Sequence, residues 1–181
     1  MFLNYMWTCI SKQEVGYEHF NEITKEESII DTEEVFNNEA EETIKISEEV
    51  IEEIKGQIGT IRIPTLNLVA PIAEGTTEDV MNKYVGHFET TSLWDGNIGL
   101  AAHNRGYPVN YFANIKDLQI GDEIIYEVED KLRIYLVNEI TIIEDTDWSY
   151  LQETNDNRIT LITCVENEPS YRRCIQGIEK K

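Results

Sequence analysis

A chain of 181 residues, 41% hydrophobic and 28% charged, has room for one folded core and a short appendage rather than two full domains. Its 15 basic residues stand against 35 acidic ones, a formal net charge of −20. A surface so negative repels phosphate, which excludes nucleic-acid binding through a basic patch as a default and disfavours docking on anionic lipid headgroups.

Residues 1–10 are apolar but short, interrupted by Asn4, without a basic flank or a small-residue cleavage site. They fall well below the ~20 residues of a membrane span and do not make a signal peptide. They read either as the remnant of an anchor or as a helix end packed on the domain. Residues 1–57 carry fifteen acids against four bases, a net of −11, leaving −9 on the remaining 124 residues. Within them Ile46, Val50 and Ile54 recur every four residues beside Ile44 and Ile51, a narrow helical stripe on an acidic rod, with Gly56 placed as its C-terminal cap. Periodicity over residues 11–38 is weaker and fits a second helix or a mobile arm. Residues 1–57 are therefore expected to be an acidic helical or linker segment, and residues 58–181 a separate β domain.

From Ile58 the pattern changes to strands. Thr60–Ile63 alternates and stops at Pro64, and Asn67–Ala70 runs into Pro71. A short helix through Tyr84 starts at Thr76–Asp79, with Thr76 or Thr77 as its cap. Asn97–His103 reads as a buried strand ending on polar residues, and Tyr111–Ile115 as one helical turn. Gly121-Asp122 turns the chain into a strand at Glu123–Val128, and Asp130-Lys131 turns it again. Leu132–Ile143 supplies one long strand or two. The polar stretch 144–157, with Trp148 and Tyr150, fits a turn of helix. Arg158–Cys164 and Arg172–Ile178 are the last strands, joined by a loop containing Pro169. Seven or eight short strands with few helices predict a mainly β fold, an antiparallel barrel or sandwich.

Three cysteines, Cys9, Cys164 and Cys174, are too few and too scattered for a disulfide framework. His19, His87 and His103 have no spacing that seeds a zinc site, so no metal is expected. One nucleophile stands out: Cys164 closes the β-rich run Thr160–Cys164 just before a polar loop. A half-exposed cysteine at a strand end beside cations is where a thiol becomes a usable thiolate. Arg172 and Arg173 follow eight and nine residues later, so a hairpin brings one of them beside it. His103 likewise closes its strand. Cysteine, histidine and arginine on separate strand ends supply a nucleophile, a proton shuttle and an oxyanion-side cation for acyl transfer, although spacing alone is weak support.

The run Thr160-Leu161-Ile162-Thr163-Cys164 resembles the Thr-Leu-x-Thr-Cys signature of sortases, the cysteine transpeptidases of Gram-positive cell surfaces. Ile58–Pro64 and Ala70–Gly75 look like the family's first two strands. Gly86-His87-Phe88 and Gly96–Asn104 resemble the approach to its catalytic histidine, and Leu118–Asp122 the turn before a middle strand. Arg172 with Ile175 and Gly177 looks like the final strand. The resemblance covers residues 58–178 in order, with residues 1–57 outside it.

The resemblance implies a closed sortase-type β-barrel of seven to eight strands with short helices. It implies that Cys164 attacks the Thr–Gly bond of a Leu-Pro-x-Thr-Gly-like signal to form a thioester, with His103 as general acid and base. Arg172 would hold the substrate and the oxyanion, and Arg173 is the alternative. Alternation along a strand puts Arg172, Cys174 and Gln176 on one face and Arg173, Ile175 and Gly177 on the other, which favours Arg172. No cofactor is implied. The partners implied are a surface-protein sorting signal and an amine acceptor, a cell-wall precursor or a pilin. The place implied is outside the cytoplasmic membrane, tethered to it at the cell surface, although no full span is present in this sequence.

His87 reads as a structural histidine in a loop, and Cys174 as a small packing residue. Trp94, Trp148 and Tyr150 are candidates to wall a peptide groove. Some family members bind calcium, but Glu144, Asp145, Asp147 and Glu153 have no spacing that marks a site. The short Cys-to-Arg loop and the chain end just after the last strand lean toward a compact, class D-like subclass. A non-catalytic peptide-binding or assembly module on the same barrel, and a pilin-polymerising enzyme, are the alternatives. A cysteine hydrolase on another fold would need an Asn or Asp to orient the histidine, and Asn104 is expected on the opposite side of the strand.

Overall fold

The computed structural model describes residues 56–181. The expected acidic segment lies outside the described residues except for its last two positions, and so do the possible anchor remnant and Cys9.

Eight strands close into a barrel: β1 (Gln57–Ile63), β2 (Leu68–Glu74), β3 (Val85–His87), β4 (Asn97–Ala101), β5 (Glu123–Val128), β6 (Lys131–Glu144), β7 (Arg158–Val165) and β8 (Glu168–Glu179). The order around the barrel is β1-β2-β3-β4-β7-β8-β6-β5, and β5 pairs back on β1. Closure leaves no open sheet edge. The pairing is not purely antiparallel, as the sequence pattern suggests, because β2–β3 and β4–β7 run parallel.

Alternation sets the core. Ile61 and Ile63 on β1, Ile72 on β2, Leu100 on β4 and Leu161 on β7 are fully buried in one cluster with Ile175 of β8. The short helix α1 (Glu78–Met81) begins as expected, with Thr77 Oγ1 accepting from the Val80 amide. Strand β2 passes through Pro71 instead of ending there. Pro71 pairs with Thr60 on one side, while β3 pairs only from Ile72 onward on the other, so the missing amide disrupts no ladder. Strand β6 is one long strand, bent where its register shifts between Val137 and Glu139. Among the described residues no helix is long and apolar enough to cross a membrane.

Candidate active site

The β7–β8 hairpin builds the site. Along β7, Ile159 and Leu161 enter the barrel core, so Ile162 and Cys164 take the opposite face. The antiparallel register sets Ile162 against Cys174 and Cys164 directly against Arg172. Arg173 pairs with Thr163 and takes the other face. The predicted loop around Pro169 is a two-residue turn, Glu166-Asn167, with Asn167 at φ 61°, and Pro169 lies inside β8. A bulge between Cys164 and Val165 ends the regular pairing at the cysteine. Such bulges re-aim a side chain at a barrel rim.

The parallel partner β4 brings up the histidine. Ala101 is level with Ile162, and the strand ends there, two residues short of the predicted end at His103. The segment beyond it still tracks β7: the Ala102 amide donates to the Ile162 carbonyl at 3.4 Å, and Thr163 Oγ1 donates to the Ala102 carbonyl at 2.7 Å. This continuation carries the chain toward the Cys164 end of β7 just before His103. Asn104, expected to point away, donates from Nδ2 to the Cys164 carbonyl at 2.7 Å, because the chain has left strand geometry. It fixes the backbone of the cysteine and not the imidazole.

His103 is 1% exposed and stacks on Tyr107, ring centroids 3.4 Å apart and nearly parallel. Burial lowers its pKa to about 4, so the imidazole is neutral at pH 7. Arg172 is 5% exposed. Its Nη1 donates to the carbonyls of Pro169 and Tyr171 at 2.7 and 2.8 Å, and Nη2 stands 3.8 Å from Asp145 Oδ2. Burial pulls the guanidinium below its usual range while Asp145 acts against that shift, and it stays a cation at neutral pH.

A groove runs from Arg172 along this face. Ala101, Ile143, Ile162, Met81, Phe88 and Leu151 give it an apolar lining, and the exposed Trp148, with Asp145 and Asp147, lines it as well. The loop carrying Trp148 and Leu151 is tied down by a buried polar network that the sequence did not reveal. Asn97 Nδ2 donates to the carbonyls of Tyr150 and Gln152, Thr160 Oγ1 donates to Asn97 Oδ1 at 2.7 Å, and Gln176 Nε2 donates to Thr160 Oγ1. Lone polar residues in strand runs read as outward-facing; only their pairing across β4, β7 and β8 shows that they meet.

Of the aromatics, Trp148 lines the groove. Tyr150 packs against the Ile143–Ile162–Cys174 cluster with its hydroxyl on Glu139. Trp94 does not reach the groove: it packs on the main core with the Arg133 guanidinium 4.1 Å above its ring. His87 is a buried structural residue, at the end of β3 and not in a loop, held by Glu74 Oε1, the Ser92 carbonyl and Thr91 Oγ1. Cys174 is a fully buried free thiol, and burial pushes its pKa up to about 12, so it stays neutral.

A family model described as Sortase domain matches residues 61–177. Sortase A of Bacillus anthracis is 29% identical over 123 residues, covering 67% of this chain and 58% of that protein. Sortase A of Staphylococcus aureus is 33% identical over 111 residues, covering 59% and 54%. The chain thus spans little more than half the length of these curated relatives. Among solved structures, a pilus-related sortase C of Group B Streptococcus superposes with a TM-score of 0.66 at 25% identity, covering 70% of this chain and 68% of that one. Sortase C1 of Streptococcus agalactiae in complex with MTSET superposes with a TM-score of 0.65 at 30% identity, covering 70% of both chains.

Proposed function

The chain belongs to the sortase family, and from that premise we propose that it is a cysteine transpeptidase that cleaves a Leu-Pro-x-Thr-Gly-like sorting signal between Thr and Gly and passes the acyl group to an amine. The observation that carries this reading is the pairing of Cys164 with Arg172 across β7–β8, with Arg172 lining an apolar groove and the segment that leads to His103 running beside β7.

In the reduced enzyme the Cys164 thiol gives its proton to the neutral His103, and the thiolate adds to the threonine carbonyl carbon. Arg172 balances the negative charge that develops on the carbonyl oxygen. The C–N bond breaks as the imidazolium protonates the departing glycine amine, leaving a thioester on Cys164. An incoming amine then gives a proton back to His103, attacks the thioester, and the thiolate leaves. The thioester preserves the energy of the cleaved amide for the new one, so no cofactor is needed. The signal lies in the groove with its apolar residues on Ile162 and Ala101, beneath Trp148 and Leu151.

We assign the enzyme to the outer face of the cytoplasmic membrane, where sortases act, with surface proteins as donors. A second reading, transfer to a pilin lysine, is favoured by likeness to a structure described as a pilus-related sortase C. Cleavage of a fluorogenic Leu-Pro-x-Thr-Gly peptide set tests the function. Turnover by the wild type and none by Cys164→Ala supports it, and an intact, peptide-binding protein that cleaves no member of the set points instead to a binding module.

A further inference from the structure

We propose that a second cleft, lined by Cys164 and sharing no residue with the peptide groove, binds the acceptor and selects amines that carry an anionic group; this rests on the transpeptidase reading. The cleft, about 320 Å³, is lined by Cys164, Thr163 and Asn104 together with the cations Arg105, Lys116 and Arg173. Its one carboxylate, Glu166, is paired with Arg105 at 2.6 Å. Among the described residues neither Lys116 nor Arg173 forms an ion pair. Residues 58–181 hold twenty acids and eleven bases, a net of −9, yet three of those eleven bases converge on this one cleft beside Cys164.

The two clefts divide the chemistry. Ile162 and Arg172 face the apolar groove, which takes the acyl donor, whereas Thr163 and Arg173, on alternate positions, line the cationic cleft. Once the thioester fills the groove, the cleft is the approach left to an amine. The departing and entering amines use one path, because transfer is the reverse of cleavage with a different amine. A carboxylate or phosphate near the entering amine meets Lys116 and the planar fork of Arg173, the geometry that arginine pairs with such oxyanions. The field of the whole chain works the other way, since a net charge of −20 attracts cationic amines. A preference for anionic acceptors therefore has to come from this cleft.

The test measures how fast four acceptors with the same glycyl amine resolve the thioacyl enzyme: triglycinamide, Gly-Gly-Glu-amide, Gly-Gly-phosphoserine-amide and Gly-Gly-Lys-amide. The proposal expects kcat/KM about tenfold higher for the anionic pair than for triglycinamide, with the lysine peptide lowest and the spread collapsing in 1 M salt. The better of the two anionic peptides tells whether carboxylate or phosphate is the natural partner. Lys116→Gln should shrink the ratio of anionic to lysine acceptor, a quantity measured within one preparation and so independent of how much protein is folded. Equal rates for all four, or a lead for the lysine peptide, overturn the cleft proposal while the thioacyl enzyme still forms. Absence of any thioacyl enzyme overturns the transpeptidase reading along with it.

Discussion

Cys164 and Arg172 occupy directly opposed positions on adjacent antiparallel strands, and the two-residue turn between the strands places them on the same face. The Arg172 guanidinium is held by two carbonyls of its own strand, those of Pro169 and Tyr171. It reaches the site already oriented and already dry.

That placement separates the two neighbouring arginines. Arg172→Ala is expected to lower the rate of signal-peptide cleavage about 10²–10³-fold, the usual loss for one oxyanion-side group. Arg172→Lys recovers little of it, since one ammonium cannot both meet the two carbonyls, as Nη1 does, and supply the second nitrogen that Nη2 provides. Arg173→Ala shows its effect in transfer to acceptor, not in cleavage. Parallel cleavage and transfer assays on the three variants check this; an Arg173→Ala cleavage defect as large as that of Arg172→Ala would reverse the assignment.

The buried His103 makes stability depend on pH. Its folded pKa of about 4 lies below the ordinary histidine value of 6.5, so between those values the unfolded chain binds a proton that the folded chain refuses. Stability from this group falls as pH drops from 6.5 toward 4 and is unaffected above 6.5. Urea midpoints at pH 7 and pH 5 should therefore fall more in the wild type than in His103→Asn. Equal falls in the two proteins would show that the imidazole is not excluded from protonation in the fold.

Gly99 gives the groove its depth. A β-carbon there would stand 2.8 Å from Leu151 Cδ2, 3.0 Å from Thr91 Cγ2 and 3.1 Å from Phe88 Cδ2. Two of those three side chains wall the groove. Gly99→Ala should cost about 1–3 kcal/mol by overpacking and raise KM for the peptide several-fold, with a smaller change in kcat. Steady-state kinetics and a thermal melt measure both; an unchanged KM would mean that Leu151 does not shape the bound peptide.

The polar network beneath the groove loop predicts a different failure. Asn97→Ala strands the Gln152 carbonyl and takes one partner each from the Tyr150 carbonyl and the Thr160 hydroxyl, which Gln176 Nε2 still meets, a loss of about 1–3 kcal/mol. Because those carbonyls hold the loop that carries Trp148, exchange of the loop amides with deuterium should speed up more than that of the β5–β6 amides. Uniform change across both regions would place Asn97 in global stability alone.

Much of the barrel is legible in the sequence because its strands alternate and are punctuated by Pro64, Gly121-Asp122 and Asp130-Lys131. β3 is not, since three residues, Val85–His87, are too few for a period to appear. Nor are the parallel pairs, because pairing partners are set by closure and not by any local pattern. Cys164 and His103 stand out as strand-end residues, and alternation alone favours Arg172 over Arg173. Asn97, Thr160 and Gln176 come from three separate strands, and Asn104 turns to the Cys164 carbonyl because β4 stops at Ala101 and not at His103. The three cations of the second cleft lie on a loop, a turn of 3-10 helix and a strand that are far apart in sequence, hidden in a chain whose total charge is negative.

The most direct test of the account is intact-mass spectrometry of the reduced protein quenched in acid during turnover of a Leu-Pro-x-Thr-Gly peptide, wild type beside Cys164→Ala. The expected result is an added mass equal to the acyl half of the peptide, ending at its threonine, mapped to Cys164 and lost in the variant. An adduct at another residue, or peptide cleavage that survives in Cys164→Ala, would contradict it.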